Sequence, residues 1–232
     1  MGGQNEDDAR TIGIYHALTL ACELDALKWK VRTGWKIWMI RGRRESISEH
    51  CHGCLILANL LHPFHPDKDN IDLNRVNLML IWHEIGEKKI GDVPEIDRKR
   101  HGSKAEAEHV AWRELLEELT SEEQREFIYD LLMEFDAHET PESKFAYYID
   151  KIEANKQMKH YVDAGRTWPL KWIVRFRRVI RKDEVTMKII KDGAKTPADV
   201  FLANDYQRYS DDPMFMEVHK ILKDVMNTAR KD

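Results

Sequence analysis

The stretch from Trp82 to Asp92 reads W-H-E-I-G-E-K-K-I-G-D, and it brings one histidine and three carboxylates together within eleven residues. Residues 76–82 are almost all apolar, so we expect a buried helix to end there. That helix would carry His83 and Glu84 into the protein interior. Because an unpaired buried charge is costly, this pair requires a metal ion or an ion-pair network as its partner.

Two other helical segments carry side chains that would complete a metal site. The segment S-I-S-E-H ends at His50, and Y-I-D-K-I-E-A has Asp150 at its centre. Two imidazoles and two carboxylates supply the nitrogen and oxygen donors that a divalent ion prefers, and they leave coordination positions for water. We therefore expect four metal ligands, His50, His83, Glu84 and Asp150, and the alternative for each histidine is a core residue bonded to a carboxylate.

Glu87 and Asp92 are close in sequence to this predicted metal site but are not needed as ligands. A bound ion lowers the pKa of its water and neutralises a phosphate oxygen during attack. The two carboxylates are then free for general acid–base catalysis. The alternative for each is structural, namely an ion pair at a helix end for Glu87 and a turn residue for Asp92.

The composition is that of a soluble globular protein, with 42% hydrophobic and 34% charged residues among 232. The net charge of −4 is small, so nucleic acid would bind only through a local basic patch. No apolar run approaches the ~20 residues that span a bilayer, and residues 1–10 are polar and acidic, without the hydrophobic core typical of a signal peptide. Three cysteines argue against a disulfide framework. We therefore expect a cytoplasmic protein with no membrane partner.

Helix signals without any convincing alternating strand predict an all-α fold. Ser46 and Glu49 form a capping box, Asp72 can cap the next helix, and Thr140-Pro141 is typical of a helix start. Further helices are predicted over about 9–31, 103–119, 121–137 and 213–230, with a charged connector over 95–102.

The composition becomes basic after Gly165. Four cations recur at helical spacing and predict one basic amphipathic helix over 171–182: Lys171, Arg175, Arg178 and Lys182. We place this helix in a C-terminal helical extension, 166–232, that packs on a domain of residues 1–165 as one structural unit. A solvated basic face is favoured for the helix, and binding of phosphates, nucleic acid or a partner is the alternative.

Three motifs resemble those of the HD-domain metal-dependent phosphohydrolases, and most closely those of the 5′-deoxynucleotidase branch. They are S-x-S-E-H at 46–50, H-E-x-x-E-x-x-x-G-D at 83–92 and D-K-x-E at 150–153, with Arg-Thr-Gly-Trp at 32–35 in support. The resemblance covers about residues 15–165 and implies an HD-domain helical bundle.

This resemblance implies a role for each candidate residue. One divalent ion would be held by the four ligands, and imidazole donors favour Mn²⁺, Co²⁺ or another first-row ion over Mg²⁺. Glu87 would orient or deprotonate the attacking water, and Asp92 would handle the proton of the leaving ribose oxygen. Arg32 would hold the phosphate, and Trp35 would lie near the sugar and exclude a 2′-hydroxyl. From local sequence alone, a plain turn at 32–35 is the alternative.

The implied function is removal of phosphate from (deoxy)nucleoside 5′-monophosphates by a homodimeric enzyme. One residue departs from the family pattern, because the defining His-Asp pair is His83-Glu84 in this chain. Glutamate is longer by one methylene, so it must bend or displace the ion. Two alternatives therefore stay open: another nucleotide phosphohydrolase, acting on triphosphates or cyclic nucleotides, and a nucleotide- or nucleic-acid-binding module with a weakened metal site.

Overall fold

A computed structural model describes residues 2–94, 96 and 104–228, and these residues form fourteen α-helices. The helices are α1 (Gly2–Leu24), α2 (Ala26–Trp29), α3 (Thr33–Ile37), α4 (Ile47–Leu61), α5 (Leu73–Trp82), α6 (Glu87–Ile90), α7 (Lys104–Leu116), α8 (Glu122–Ala137), α9 (Pro141–Asp163), α10 (Leu170–Phe176), α11 (Arg178–Lys182), α12 (Glu184–Lys191), α13 (Pro197–Asp205) and α14 (Pro213–Thr228). Within these ranges the only extended pairing is an isolated bridge between Val31 and Ser46. The all-α prediction is confirmed.

The predicted helix starts are confirmed by side-chain caps. Ser46 and Glu49 form a reciprocal capping box at α4, and the Asp72 carboxylate accepts two backbone N–H groups at α5. Thr140 caps α9, with Pro141 as its first residue. Gly165 follows the end of α9 at a φ of +64°, a conformation that glycine adopts without steric cost.

The central element is α9, which packs against α4, α5, α8, α13 and α14. One hydrophobic core joins α4, α5, α9 and α14, and a second joins α3 and the end of α9 to α10–α13. A third core lies between α1, α7 and α8. The two faces of α9 therefore hold the N-terminal helices and the C-terminal segment together.

The prediction of a single basic helix over 171–182 is wrong. The chain forms α10 and α11 instead, with Arg177 extended between them at φ −110° and ψ 98°. Nη1 of Arg181 donates to the carbonyls of Val174 and Arg175, at 3.4 and 3.0 Å, so it satisfies the end of α10. Nη2 of Arg177 donates to the carbonyl of Lys36 at 2.9 Å. These tertiary hydrogen bonds stabilise a break that local spacing does not reveal.

Two other predicted ranges differ in detail. The helix predicted over 9–31 is two helices, α1 and α2, separated at Asp25. The charged connector at 95–102 lies outside the described residues apart from residue 96, and the last two residues of the helix predicted over 213–230 also lie outside them.

Candidate active site

The four predicted metal ligands converge from three elements. His50 lies in the first turn of α4, and Asp150 lies in the middle of α9. His83 is the residue after α5, and Glu84 follows it in a turn. Because α4 and α5 both pack against α9, the four side chains meet below the protein surface.

The donor atoms of these residues lie close together. Nε2 of His50 is 2.9 Å from Oδ1 of Asp150 and 3.8 Å from Oε1 of Glu84. The same Glu84 oxygen is 3.8 Å from Nε2 of His83. The centroids of the two imidazole rings are 5.6 Å apart. The longer glutamate therefore bends so that one oxygen faces both histidines.

His83 has the hydrogen-bond pattern of a metal ligand. Its Nδ1 lies 3.0 Å from the carbonyl of Leu80 and donates to it, so Nε2 carries the free lone pair. That Nε2 atom is buried and has no hydrogen-bond partner among the described residues. Burial lowers the pKa of His83, which favours the neutral imidazole that binds metals. A divalent ion would satisfy this buried atom, so the residues present fit the metal that the motifs imply.

His50 is oriented by a second carboxylate on α9. Nδ1 of His50 is 2.7 Å from Oε2 of Glu153, and Glu153 also lies 3.1 Å from Nζ of Lys156. A carboxylate on the far ring nitrogen fixes the tautomer and orientation of a ligating histidine. Gly53 makes room for this contact, because a Cβ there would lie 2.7 Å from Oε1 of Glu153.

The charges in the site keep both candidate carboxylate ligands ionised. Burial raises the pKa of Glu84, but nearby positive charge, including the Arg32 guanidinium, outweighs burial and lowers it to about 2. Burial likewise raises the pKa of Asp150, but Lys151 and His50 together lower it well below its ordinary value. The site therefore offers two negative charges to a cation.

Cys54 also lies beside the cluster, which the sequence did not indicate. Its Sγ is 3.6 Å from Nε2 of His50, one helical turn away on α4. Burial raises the pKa of the Cys54 thiol to about 11. His50, Cys54, His83 and Asp150 each place one donor atom within 4.8 Å of the others. Because a thiol must lose its proton to bind a metal and Glu84 is already ionised, Glu84 stays our predicted fourth ligand.

A cavity of about 330 Å³ opens over the cluster. Seven of the eight predicted site residues line it: Arg32, Trp35, His83, Glu84, Glu87, Asp92 and Asp150. The eighth, His50, is fully buried behind Asp150. The cavity therefore has a polar end beside the cluster and a partly apolar wall elsewhere, and a ligand would contact both.

Glu87 and Asp92 are held at the cavity by the segment that contains Arg32. Nζ of Lys30 donates to the backbone carbonyl of Glu87, and the backbone N–H of Thr33 donates to Oδ2 of Asp92. The Glu87 side chain is buried. The Arg-Thr-Gly-Trp run therefore lies at the cavity, and it forms the start of α3 instead of the turn that local sequence also allowed.

Trp35 forms part of the cavity wall, with only 2% of its surface exposed. Its Nε1 donates to Oε2 of Glu45 at 3.1 Å, and its ring stacks on Phe201 with centroids 5.9 Å apart. Burial, with the charge of Glu153, raises the pKa of Glu45 to about 7. Trp35 is thus a fixed wall, and it would contact a ligand with a small part of its ring.

Several lining residues were not found in the sequence. Nζ of Lys151 is 2.7 Å from Oδ2 of Asp150. Lys151 directly follows this predicted ligand in the D-K-x-E motif, and that position was the signal by which the sequence could have indicated it. Phe201, Asn204 and Asp205 come from α13, far along the chain. No local pattern marks them, because only tertiary packing brings α13 to the cavity.

Comparison with known proteins assigns the chain to a family and identifies similar enzymes. The sequence pattern of the HD domain family matches residues 24–187. The chain is 29% identical to the 5′-deoxynucleotidase HDDC2 of Bos taurus over 137 residues, which cover 59% of this chain and 63% of that protein. It is 31% identical to the 5′-deoxynucleotidase hdd1 of Schizosaccharomyces pombe over 142 residues, 60% and 68% of the two chains. The matched region thus spans less than two thirds of the bovine protein.

A solved structure shows the same fold over nearly the whole chain. A predicted metal-dependent phosphohydrolase of Magnetospirillum magnetotacticum MS-1 superposes with a TM-score of 0.63 at 21% identity, covering 95% of this chain and 96% of that one. The shared fold includes the segment after Gly165. No described helix is both long and apolar enough to cross a bilayer.

Proposed function

Because the chain belongs to the HD domain family, we propose that it is a metal-dependent phosphomonoester hydrolase of (deoxy)nucleoside 5′-monophosphates. The observation that carries this proposal is the buried, unpartnered Nε2 of His83, which faces the ionised carboxylate of Glu84 at the end of the cavity. A volume of about 330 Å³ suits a small ligand such as a mononucleotide.

Two cations would bind the phosphate. Nη2 of Arg32 is 3.5 Å from Oε1 of Glu84, while its Nη1 is buried without a hydrogen-bond partner among the described residues. A guanidinium in this state favours a phosphate oxygen, which it binds with strong charge-assisted hydrogen bonds. Lys151 lies beside Asp150 and lines the same cavity as Arg32. Phosphate would therefore lie between Arg32 and Lys151.

A divalent ion held by the four ligands would lower the pKa of a water molecule and reduce the charge on phosphate oxygens. Glu87 would orient the attacking water and accept its proton, since its buried side chain lines the cavity next to the ligands. Asp92, positioned by the Thr33 N–H, would pass a proton to the leaving ribose oxygen, which balances the proton that Glu87 removes from the water.

The aromatic wall would determine the preference for a deoxyribose. Trp35, Trp38 and Phe201 line the cavity and pack on one another. A 2′-hydroxyl against these rings would lose its hydrogen bonds to water, and that loss is unfavourable. We further propose that the ion is Mn²⁺, Co²⁺ or another first-row metal and that the enzyme is a cytoplasmic homodimer.

The experiment is a survey of phosphate release from all deoxy- and ribonucleoside 5′-monophosphates, with Mn²⁺ or Co²⁺ and with a chelator control. The proposal predicts release that requires metal and is faster for the deoxy substrates. Nucleoside triphosphates and 2′,3′- and 3′,5′-cyclic nucleotides belong in the same survey, since their products are triphosphate and linear monophosphates. Turnover of those compounds, with no phosphate released from any monophosphate, would overturn the proposal.

A further inference from the structure

The positive charge of this protein is concentrated in two short segments. Residues 36–44 and 164–182 together contain eleven lysines and arginines and no aspartate or glutamate, although the whole chain has a net charge of −4. The cations are Lys36, Arg41, Arg43, Arg44, Arg166, Lys171, Arg175, Arg177, Arg178, Arg181 and Lys182. Such segregation creates a local field that the net charge conceals.

The two segments lie against each other and form one surface, called the basic surface below. The backbone N–H of Arg41 donates to the carbonyl of Arg166 at 2.8 Å, and Nε of Arg166 donates back to the carbonyl of Arg41 at 2.9 Å. Arg177 makes a further bridge to the carbonyl of Lys36. The basic surface is thus built by tertiary contacts and is not the face of a single helix.

Most cations of the basic surface are not neutralised. Arg43 pairs with Glu49, but the other ten have no carboxylate within 4.0 Å among the described residues. Arg41, Arg166, Arg177 and Arg181 donate to backbone carbonyls, which fixes their positions and leaves their charge uncompensated. A polyanion would supply the missing negative charge.

Three aromatic side chains are exposed among these cations. Trp168, Trp172 and Phe176 have 39%, 43% and 55% of their surfaces exposed. Trp172 and Phe176 are nearly parallel, with an interplanar angle of 28° and centroids 5.7 Å apart. Arg41 lies over the Trp168 ring, and Arg175 lies near that of Phe176. Trp172 and Phe176 lie four residues apart on α10, which corresponds to a rise of about 6 Å between the two rings, and Trp168 precedes the helix.

We propose that the basic surface binds single-stranded nucleic acid, with phosphates on its cations and bases on the exposed rings of Trp168, Trp172 and Phe176. Non-specific single-strand binding combines these two features, a positive track and aromatic platforms. An anionic membrane fits less well, because interfacial helices need a broad apolar face. Here α10 has seven residues, and its exposed rings alternate with Lys171 and Arg175.

The test is fluorescence anisotropy of a labelled twenty-nucleotide oligo-dT titrated with the full chain. About four phosphate contacts at 0.7 per contact predict a roughly twentyfold loss of affinity between 50 and 150 mM salt. Trp172→Leu should weaken binding roughly tenfold or more, and Trp172→Tyr should restore most of it, because base stacking needs an aromatic ring. The single substitution Arg175→Glu should also weaken oligonucleotide binding, because it replaces a phosphate-binding cation with an anion.

Lys220→Glu is the matched charge control, since Lys220 is an exposed residue of α14, which is not one of the segments that form the basic surface. It should leave oligonucleotide affinity within about twofold. Far-UV circular dichroism of each variant reports that the fold is intact. Equal binding by Trp172→Leu and wild type, or equal loss in Lys220→Glu, would overturn the proposal. So would tight binding to vesicles of anionic phospholipid with no binding of oligo-dT.

Discussion

Glu84 is the residue at which this chain departs from the HD pattern, and it gives the sharpest test of the ligand set. Its Oε1 lies 3.8 Å from both histidine Nε2 atoms, so the longer side chain already reaches the cluster. Glu84→Asp should therefore keep or raise activity with Mn²⁺, whereas Glu84→Gln should abolish tight metal binding by removing the negative charge. Both are read by Mn²⁺ titration and phosphate release. An active Glu84→Gln enzyme would remove Glu84 from the ligand set.

Gly53 allows a direct test of how His50 is oriented. Alanine there would place a Cβ 2.7 Å from Oε1 of Glu153 and push that carboxylate away from the imidazole. Loss of such a carboxylate contact typically costs 10–100-fold in metal affinity, so we expect a loss of at least about tenfold for Gly53→Ala. Gly34→Ala is the control, because a Cβ at Gly34 meets nothing within 4 Å. Unchanged Mn²⁺ affinity in Gly53→Ala would refute this role of Glu153.

Lys151 should act on the phosphate more than on the metal. Its ammonium lies 2.7 Å from Oδ2 of Asp150 and lines the cavity. Losing a charge-assisted hydrogen bond costs about 1.5–3 kcal/mol, so Lys151→Gln should lower kcat/KM by roughly tenfold or more. Lys151→Arg should recover part of that loss. Steady-state kinetics at saturating Mn²⁺ measure this, and a change confined to Mn²⁺ affinity would contradict it.

The residues of the site differ in how well the sequence reveals them. His50, His83, Glu87 and Asp150 stand in motifs, because the chemistry needs particular residue types at fixed spacing. Glu153 is the last residue of the D-K-x-E motif that contains Asp150, but its contact with His50 depends on the packing of α4 on α9. The α13 residues of the cavity wall have no signal of their own, because their position depends on the second core.

At the scale of elements, helix starts were predictable because caps are local. The Ser46 cap holds the first turn of α4, which carries His50. Ser46→Ala should lower the free energy of unfolding by about 1 kcal/mol. Ser48→Ala in the same turn is the control and should change it by less than about 0.5 kcal/mol. Urea unfolding followed by circular dichroism compares the two, and equal effects would show that the cap is not the cause.

The break between α10 and α11 was not predictable for the opposite reason. The spacing of Lys171, Arg175, Arg178 and Lys182 is regular, and local sequence contains no glycine or proline at the break. The extended conformation of Arg177 is stabilised by its hydrogen bond to the carbonyl of Lys36, more than a hundred residues away. Periodicity predicts helix faces, but it does not report such contacts.

For the whole molecule, we predict that residues 166–232 form one structural unit with residues 1–165. The second core packs Ile173, Ile180 and Val200 against Trp35 and Tyr161. A chain truncated after residue 165 would expose this core and lose the α13 wall of the cavity. We expect it to show no cooperative thermal transition, by circular dichroism. A truncated chain that unfolds cooperatively would instead make 166–232 a separable appendage.

The most direct test of the central claim is the stoichiometry of Mn²⁺ binding, measured by equilibrium dialysis alongside phosphate release on the same samples. The proteins are wild type, His83→Ala and His52→Ala. His52 is an exposed histidine on α4, two residues from His50, and serves as the matched control. The buried cluster predicts one Mn²⁺ per chain and phosphate release in wild type and His52→Ala, and neither in His83→Ala. Stoichiometric Mn²⁺ and undiminished release in His83→Ala would contradict the assignment of this cluster as the catalytic metal site.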